Sequence, residues 1–296
     1  MLKFSKQSMW VSLLNRGIRV FCHLREMQVT RRGCSKYVFV LLVFLTVTMM
    51  AAGALQLIFL FKCLEYTTAY SFWKNDQDGS ILRIGLVKQE VISWAPRIML
   101  LHNFLSAQEC NHLISVARSN LVKSEVVDAQ TGMSTESKVR TSTGMSIDQS
   151  NGEHPLIQAI EKRIAMYSMI PMENGERLQV LRYEPDQYYK PHHDYFTDEF
   201  NLKSGGQRVA TMLMYLSDRV EGGETYFPWS GPGECSCGGV MRKGQCVKPK
   251  QGDALLFWNT RSDGSTDHNT LHGGCKVLAG EKWLATKWMR QDVFND

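Results

Sequence analysis

The 296-residue sequence predicts a mainly β domain with flanking helices, of the α+β class, carried behind one N-terminal transmembrane helix. Three observations predict it. From Leu178 onward, runs rich in β-branched and aromatic residues ("LQVLRY", "QRVATMLMYLSD", "ETYFP", "GDALLFW", "GCKVLAG", "EKWLATKWMR") follow one another between Gly and Pro with no helical run between them. That spacing is the pattern of an antiparallel sandwich or jelly roll. Two amphipathic runs precede these strands and supply helices to pack outside them. Finally, Tyr37 to Phe61 is a stretch of 25 residues without a charge. At about 1.5 Å per residue it makes about 37 Å of helix, enough to cross a hydrocarbon core of about 30 Å with some tilt.

Taken in order, residues 1–36 form a basic tail, with Lys3, Lys6, Arg16, Arg19, Arg25, Arg31, Arg32 and Lys36 against the single acid Glu26. Residues 37–61 are the span: a core helix would carry a polar stripe, and the apolar core of a signal peptide is shorter. The charge asymmetry predicts a type II orientation, with the tail cytosolic and all that follows lumenal or extracellular. Of the 34 Lys and Arg, nine stand at or before residue 62, which leaves 25 against 28 of the 29 acids. The formal charge of +5 therefore belongs to the tail, and a nucleic-acid partner has no support. Residues 62–87 are polar and read as a stem, and residues 88–296 form the domain. "VISWAPRIMLLHNFLS" (91–106) opens it as a short strand signal. Ser106 and Glu109 then form a capping box before the helical run "CNHLISVARSNL". A second helix is expected from about His154 to Met169. Six of the eight cysteines lie beyond the span, and "CSCGGVMRKGQC" at 235–246 reads as a disulfide-tied loop rather than a zinc knuckle, with its pairing open.

The chemistry centres on "YKPHHDYF" (189–196). On a strand, residues two apart share a face, so His192 and Asp194 can address one metal ion while His193 points away. A third ligand is offered by His272, which precedes glycines and an apolar strand. His268, in the polar loop "SDGSTDHNT", is the competing candidate. Two histidines and one carboxylate make the facial triad of non-haem Fe(II), which leaves positions for a bidentate 2-oxo acid and oxygen. The far carboxylate of such an acid needs a buried cation. In "EKWLATKWMR", alternation puts Lys282, Leu284, Thr286 and Trp288 on one face, so Lys282 lies among apolar and aromatic side chains where a carboxylate would relieve it.

These residues carry a resemblance. "VISWAPRIMLLHNFLSAQEC", "VRTSTGMSI", "LQVLRYEPDQYYKPHHDYF", "GGQRVATMLMYLSDRVEGGETYFP", "VKPKQGDALLFWNT" and "LHGGCKVLAGEKWLATKWMR" together resemble the plant-type prolyl 4-hydroxylases, over about residues 88–294. The resemblance implies a double-stranded β-helix core and hydroxylation of peptidyl proline at C4, with Fe(II), O₂, 2-oxoglutarate and L-ascorbate. Its substrates would be secreted proline-rich proteins of the cell-wall type, bound as polyproline II segments, and its residence the endoplasmic reticulum or Golgi membrane. It implies His192, Asp194 and His272 as iron ligands and Lys282 as partner of the 2-oxoglutarate 5-carboxylate, helped by Tyr183 and Thr225. Tyr189, Arg208 and Trp288 match positions that line the peptide channel. The chain departs from the family at His193, where an aromatic is usual, and at Lys190, where an acid is usual. Two other classes fit parts of the pattern: a 2-oxoglutarate oxygenase acting on another side chain, and a non-catalytic, membrane-anchored peptide-binding module.

Overall fold

Lys282–Arg290, the longest strand among the described residues, runs near the middle of an eight-stranded antiparallel sheet. The computed structural model describes residues 41, 43–49, 56, 77–127, 134–136, 138–148 and 153–295. The chain divides into two units, Met1–Thr68 and Ala69–Asp296. The expected tail, and most of the expected span, lie outside the described residues. Those of the span that are described, 41, 43–49 and 56, are helical. Among the described residues, no helix is long and apolar enough to cross a membrane.

The large sheet runs in the order Lys88–Trp94, Arg97–His102, Ala254–Trp258, Arg208–Tyr215, Lys282–Arg290, Gln179–Tyr183, Thr143–Ser146 and Val122–Lys123. A smaller sheet runs in the order Gln245–Val247, Thr225–Phe227, His272–Gly274 and Tyr189–His192. Alternation along Lys282–Arg290 explains how the layers stack. Trp283, Ala285 and Met289 face the helices and join Leu113, Ile157, Ile160 and Ile164 in one core. Leu284 faces the other way, and with Tyr183, Leu213, Tyr215, Leu255 and Phe257 it meets Phe227 and Val247 of the smaller sheet. The expected arrangement, mainly β with helices outside, is what the chain forms.

Both expected helices are present, as Ala107–Arg118 and Pro155–Ser168. The first has its capping box, with the Ser106 hydroxyl accepting from Glu109 N and the Glu109 carboxylate accepting from Ser106 N. The second begins with Pro at its first position, where the missing N–H costs nothing, and ends on Met169 in the left-handed region. Glu109 has a further role, as the buried partner of Arg163 at 2.8 Å. Arg163 also donates to the carbonyls of Phe104 and Ile81. Burial alone would raise the Glu109 pKa, but the hydrogen bond and charge of Arg163 outweigh it and hold the carboxyl below its ordinary range. The group therefore stabilises the fold above the ordinary carboxylate pKa, and that contribution is lost as pH falls through its lowered folded value. Glu109→Ala leaves an unpaired guanidinium in the core, and an equilibrium denaturation curve should show a loss of about 3–5 kcal/mol.

Three sequence readings are corrected or completed. The strand signal at 91–106 covers parts of two strands, Lys88–Trp94 and Arg97–His102, which turn on each other through a cis Ala95–Pro96 peptide. The polar stem contains a helix, Gln77–Leu82, whose Ile81 carbonyl is held by Arg163, so order begins before residue 88. The cysteine loop is tied by two disulfides, Cys235–Cys246 and Cys237–Cys275. Cys110 is unbridged and buried, which pushes its thiol pKa up to about 12.

Candidate active site

The site begins with strand register. His272 lies directly opposite His192 across an antiparallel pair, and their rings are 4.4 Å apart. Gly273 permits that approach, because a Cβ there would stand 2.9 Å from the Tyr189 carbonyl oxygen. Asp194 completes the group: the ligand atoms of His192, Asp194 and His272 all lie within 4.8 Å of one another. The strand stops at His192, however, and Asp194 stands in the bend beyond it. The structure thus brings together the pair that the period-2 argument selects, but by a bend, since that argument does not hold past residue 192. His193 is turned out of the cluster, its Nε2 donating to the His268 carbonyl. His268 is engaged elsewhere too, its Nδ1 bonded to the Tyr195 hydroxyl at 2.8 Å.

The donor set suits a cation. His192 Nδ1 donates to the Lys190 carbonyl at 2.9 Å, and His272 Nδ1 donates to the Thr270 carbonyl at 3.0 Å. Each bond fixes the tautomer that leaves a lone pair on Nε2. Those lone pairs face Asp194, at 3.4 Å from Oδ1 and 3.6 Å from Oδ2. Two lone pairs aimed at a buried carboxylate repel one another unless a positive ion lies between them. Burial pushes the His272 pKa down to about 4, so the ring is neutral at pH 7. For Asp194, burial is outweighed by His272 and His192, which carry charge once acid protonates them, and the carboxyl stays well below its ordinary range.

Lys282 opens into the same cavity, which Tyr183, Thr225, Thr286 and Trp288 also line. It does not snorkel, being only 3% exposed. Gly223 (φ +68) makes room for its stem, since a Cβ there would stand 3.2 Å from Lys282 Cδ. Among the described residues no carboxylate pairs with it; its Nζ stands 5.5 Å from the Tyr183 ring centre and 6.0 Å from that of Tyr215. Burial pushes its pKa down to about 8, partly opposed by the charge of Glu224. Thr286 Oγ1 is buried without a partner. Thr225 accepts from the Tyr215 hydroxyl at 2.8 Å. Among the described residues, a cation without a counter-ion and a hydroxyl without a partner share this cavity with the His–Asp–His cluster, and together they fit an acidic ligand.

The cavity opens onto a groove of about 1220 Å³, with Arg140, Tyr189, His192, Asp194 and Trp288 lining both. Tyr189 stacks on His192 at 3.6 Å between centres, and burial raises its pKa to about 12. The Arg208 guanidinium lies 4.1 Å over the Trp288 ring and donates twice to Glu176. Every residue expected at the site is thus in the cavity or the groove. The sequence reading missed Arg140, Glu176 and Tyr215. Alternation could have pointed to Tyr215, which shares its strand face with Thr211 and Leu213; nothing local marks the other two.

Residues 178–290 match the 2OG-Fe(II) oxygenase superfamily. The chain is 56% identical to "Prolyl 4-hydroxylase 1" of Arabidopsis thaliana, over 86% of this chain and 97% of that protein. It is 54% identical to "Probable prolyl 4-hydroxylase 3" of the same plant, over 68% of this chain and 71% of the relative. Among solved structures, it is 30% identical to the viral collagen prolyl hydroxylase of Paramecium Bursaria Chlorella virus-1 in its 2OG complex, with a TM-score of 0.49, covering 64% of this chain and 94% of that one.

Proposed function

Because the chain belongs to the plant-type prolyl 4-hydroxylases of the 2OG-Fe(II) oxygenase superfamily, we propose that its His–Asp–His cavity is the site where peptidyl proline becomes 4-hydroxyproline. One observation carries the reading: a His–Asp–His donor set shares its cavity with a buried lysine that no carboxylate among the described residues answers. His192, Asp194 and His272 hold Fe(II), and Lys282 pairs with the far carboxylate of 2-oxoglutarate, flanked by Tyr183, Thr225 and Thr286. Bound iron and 2-oxoglutarate supply the oxidising power that turns a C–H into a C–OH with O₂. The chain's own residues supply placement. Tyr189, Arg208 and Trp288 edge the groove that leads to the cluster, where aromatic faces suit an extended polyproline II segment.

The finer reading is that the substrates are secreted proline-rich proteins of the cell-wall type, that L-ascorbate accompanies turnover, and that the enzyme is a type II membrane protein of the endoplasmic reticulum or Golgi with its domain lumenal. The uncharged run 37–61, the basic residues before it and the two disulfides after it support that placement. A non-catalytic binding module would gain nothing from a buried, uncompensated lysine, which costs stability.

The test is succinate release from 2-oxoglutarate by the purified protein with Fe(II), ascorbate and a proline-rich peptide. The peptide should stimulate release, and the same peptide with its prolines replaced by alanine should not. Equal stimulation by both would remove proline as the target. His193→Ala should retain most of the parental succinate release, because its ring faces His268 and not the cluster; a collapse of release would move the metal site.

A further inference from the structure

Asp194 stands in a bend past the end of its strand, so strand geometry does not orient its carboxylate. A hydrogen-bond relay does. The Thr211 hydroxyl donates to Asp194 Oδ2 at 2.7 Å. Thr211 lies on Arg208–Tyr215, wholly buried, paired with Phe257 on one side and Trp288 on the other. A hydroxyl has one proton, and with that proton given to Asp194 the oxygen can only accept. It accepts from the Asn259 amide at 3.0 Å. Asn259, also wholly buried, follows Ala254–Trp258, and its carbonyl accepts from Asp267 N at 2.8 Å. Asp267 caps the short turn His268–Thr270, and the Thr270 carbonyl takes the Nδ1 proton of His272. Asn259 thus reaches both arms of the cluster, Asp194 by its side chain through Thr211 and His272 by its main chain through Asp267.

We infer that Thr211, oriented by Asn259, is a positioning residue that holds Asp194 by Oδ2 and so aims its carboxylate at the place between His192 and His272. The inference rests on the reading of the cluster as a metal site. The hydrogen bond takes one lone pair of Oδ2 and fixes the plane of the carboxylate between the two histidine nitrogens, where the ion would be held. Partners of metal ligands commonly tune affinity in this way.

The test is Mn(II) binding by the purified full chain, read from the electron paramagnetic resonance signal of the free ion, with thermal unfolding of each metal-free variant alongside. Thr211→Ser, which keeps the hydroxyl, should bind within about threefold of the parent, and Thr211→Val should bind about 10–100-fold more weakly. If the valine variant does not fold, Thr211→Ala takes its place and should show the same loss. Asn259→Ala should fall between serine and valine. Parental affinity in the valine or alanine variant would overturn the inference, as would a serine variant as weak as valine. If the parent itself takes up no Mn(II), the metal-site reading fails and this inference with it. If the parent binds and Thr211→Val equals it, only the positioning role is lost.

Discussion

Asp194→Ala abolishes metal uptake and turnover while the domain stays folded. Asp194 is the only anion in the cluster, since His272 is neutral at pH 7 and His192 presents a lone pair. Without it, a divalent ion would meet two neutral nitrogens in a buried cavity. Loss of a partner behind a ligand already costs about 10–100-fold in metal affinity, so loss of the anionic ligand should exceed about 100-fold. Folding is spared because the substitution also removes a buried negative charge, and the Thr211 hydroxyl, which loses its acceptor, still accepts from the Asn259 amide. Isothermal titration with Mn(II), beside a thermal melt, separates the two effects. A variant that keeps the parental affinity would move the site elsewhere.

Lys282→Met has effects of opposite sign on function and stability. It removes the cation proposed to answer the 2-oxoglutarate carboxylate, and the KM for that co-substrate should rise by about 100-fold, as expected when a buried charged hydrogen bond loses its partner. The metal-free protein, by contrast, should become more stable. Burial holds the Lys282 pKa at about 8 in the fold against about 10.5 when exposed. At pH 7 the fold therefore carries a penalty of roughly 3 kcal/mol for a charged lysine that methionine would not impose. The sign follows from proton binding: between about pH 8 and 10.5 the unfolded chain holds the proton and the folded chain has released it. The parent should gain stability relative to Lys282→Met across that window, while its affinity for 2-oxoglutarate declines as pH rises above about 8. Denaturation at several pH values and a KM–pH profile check both halves.

Much of this site was legible because strand alternation is a local rule. Lys282, Thr286 and Trp288 share one face of one strand, and they line the cavity together. The same rule set His192 apart from His193, although the strand ends at His192 and a bend delivers Asp194, and the polarity of the surrounding loops set His272 apart from His268. What alternation could not reach is whatever depends on pairing between distant segments. Arg140 and Glu176 meet the site only after strands far apart in sequence are brought side by side, and Thr211 joins Asp194 because a bend, not a strand, delivers the carboxylate. The cysteines were recognisable as a disulfide loop, but their pairing is a matter of which strands lie adjacent. Cys237 reaches Cys275, three residues beyond His272, and so ties the loop to the end of the strand His272–Gly274. The helix Gln77–Leu82 was hidden for a similar reason: its Ile81 carbonyl is held by Arg163, far away in sequence.

The central claim is that this cavity places an oxygen atom on proline. The most direct measurement is tandem mass spectrometry of a proline-rich peptide after incubation with the purified protein, Fe(II), ascorbate, 2-oxoglutarate and O₂. The expected result is a gain of one oxygen on proline, with the hydrolysed residue co-eluting with 4-hydroxyproline, and no gain with Asp194→Ala. Oxygen on another side chain, or succinate released with every proline unmodified, would contradict it.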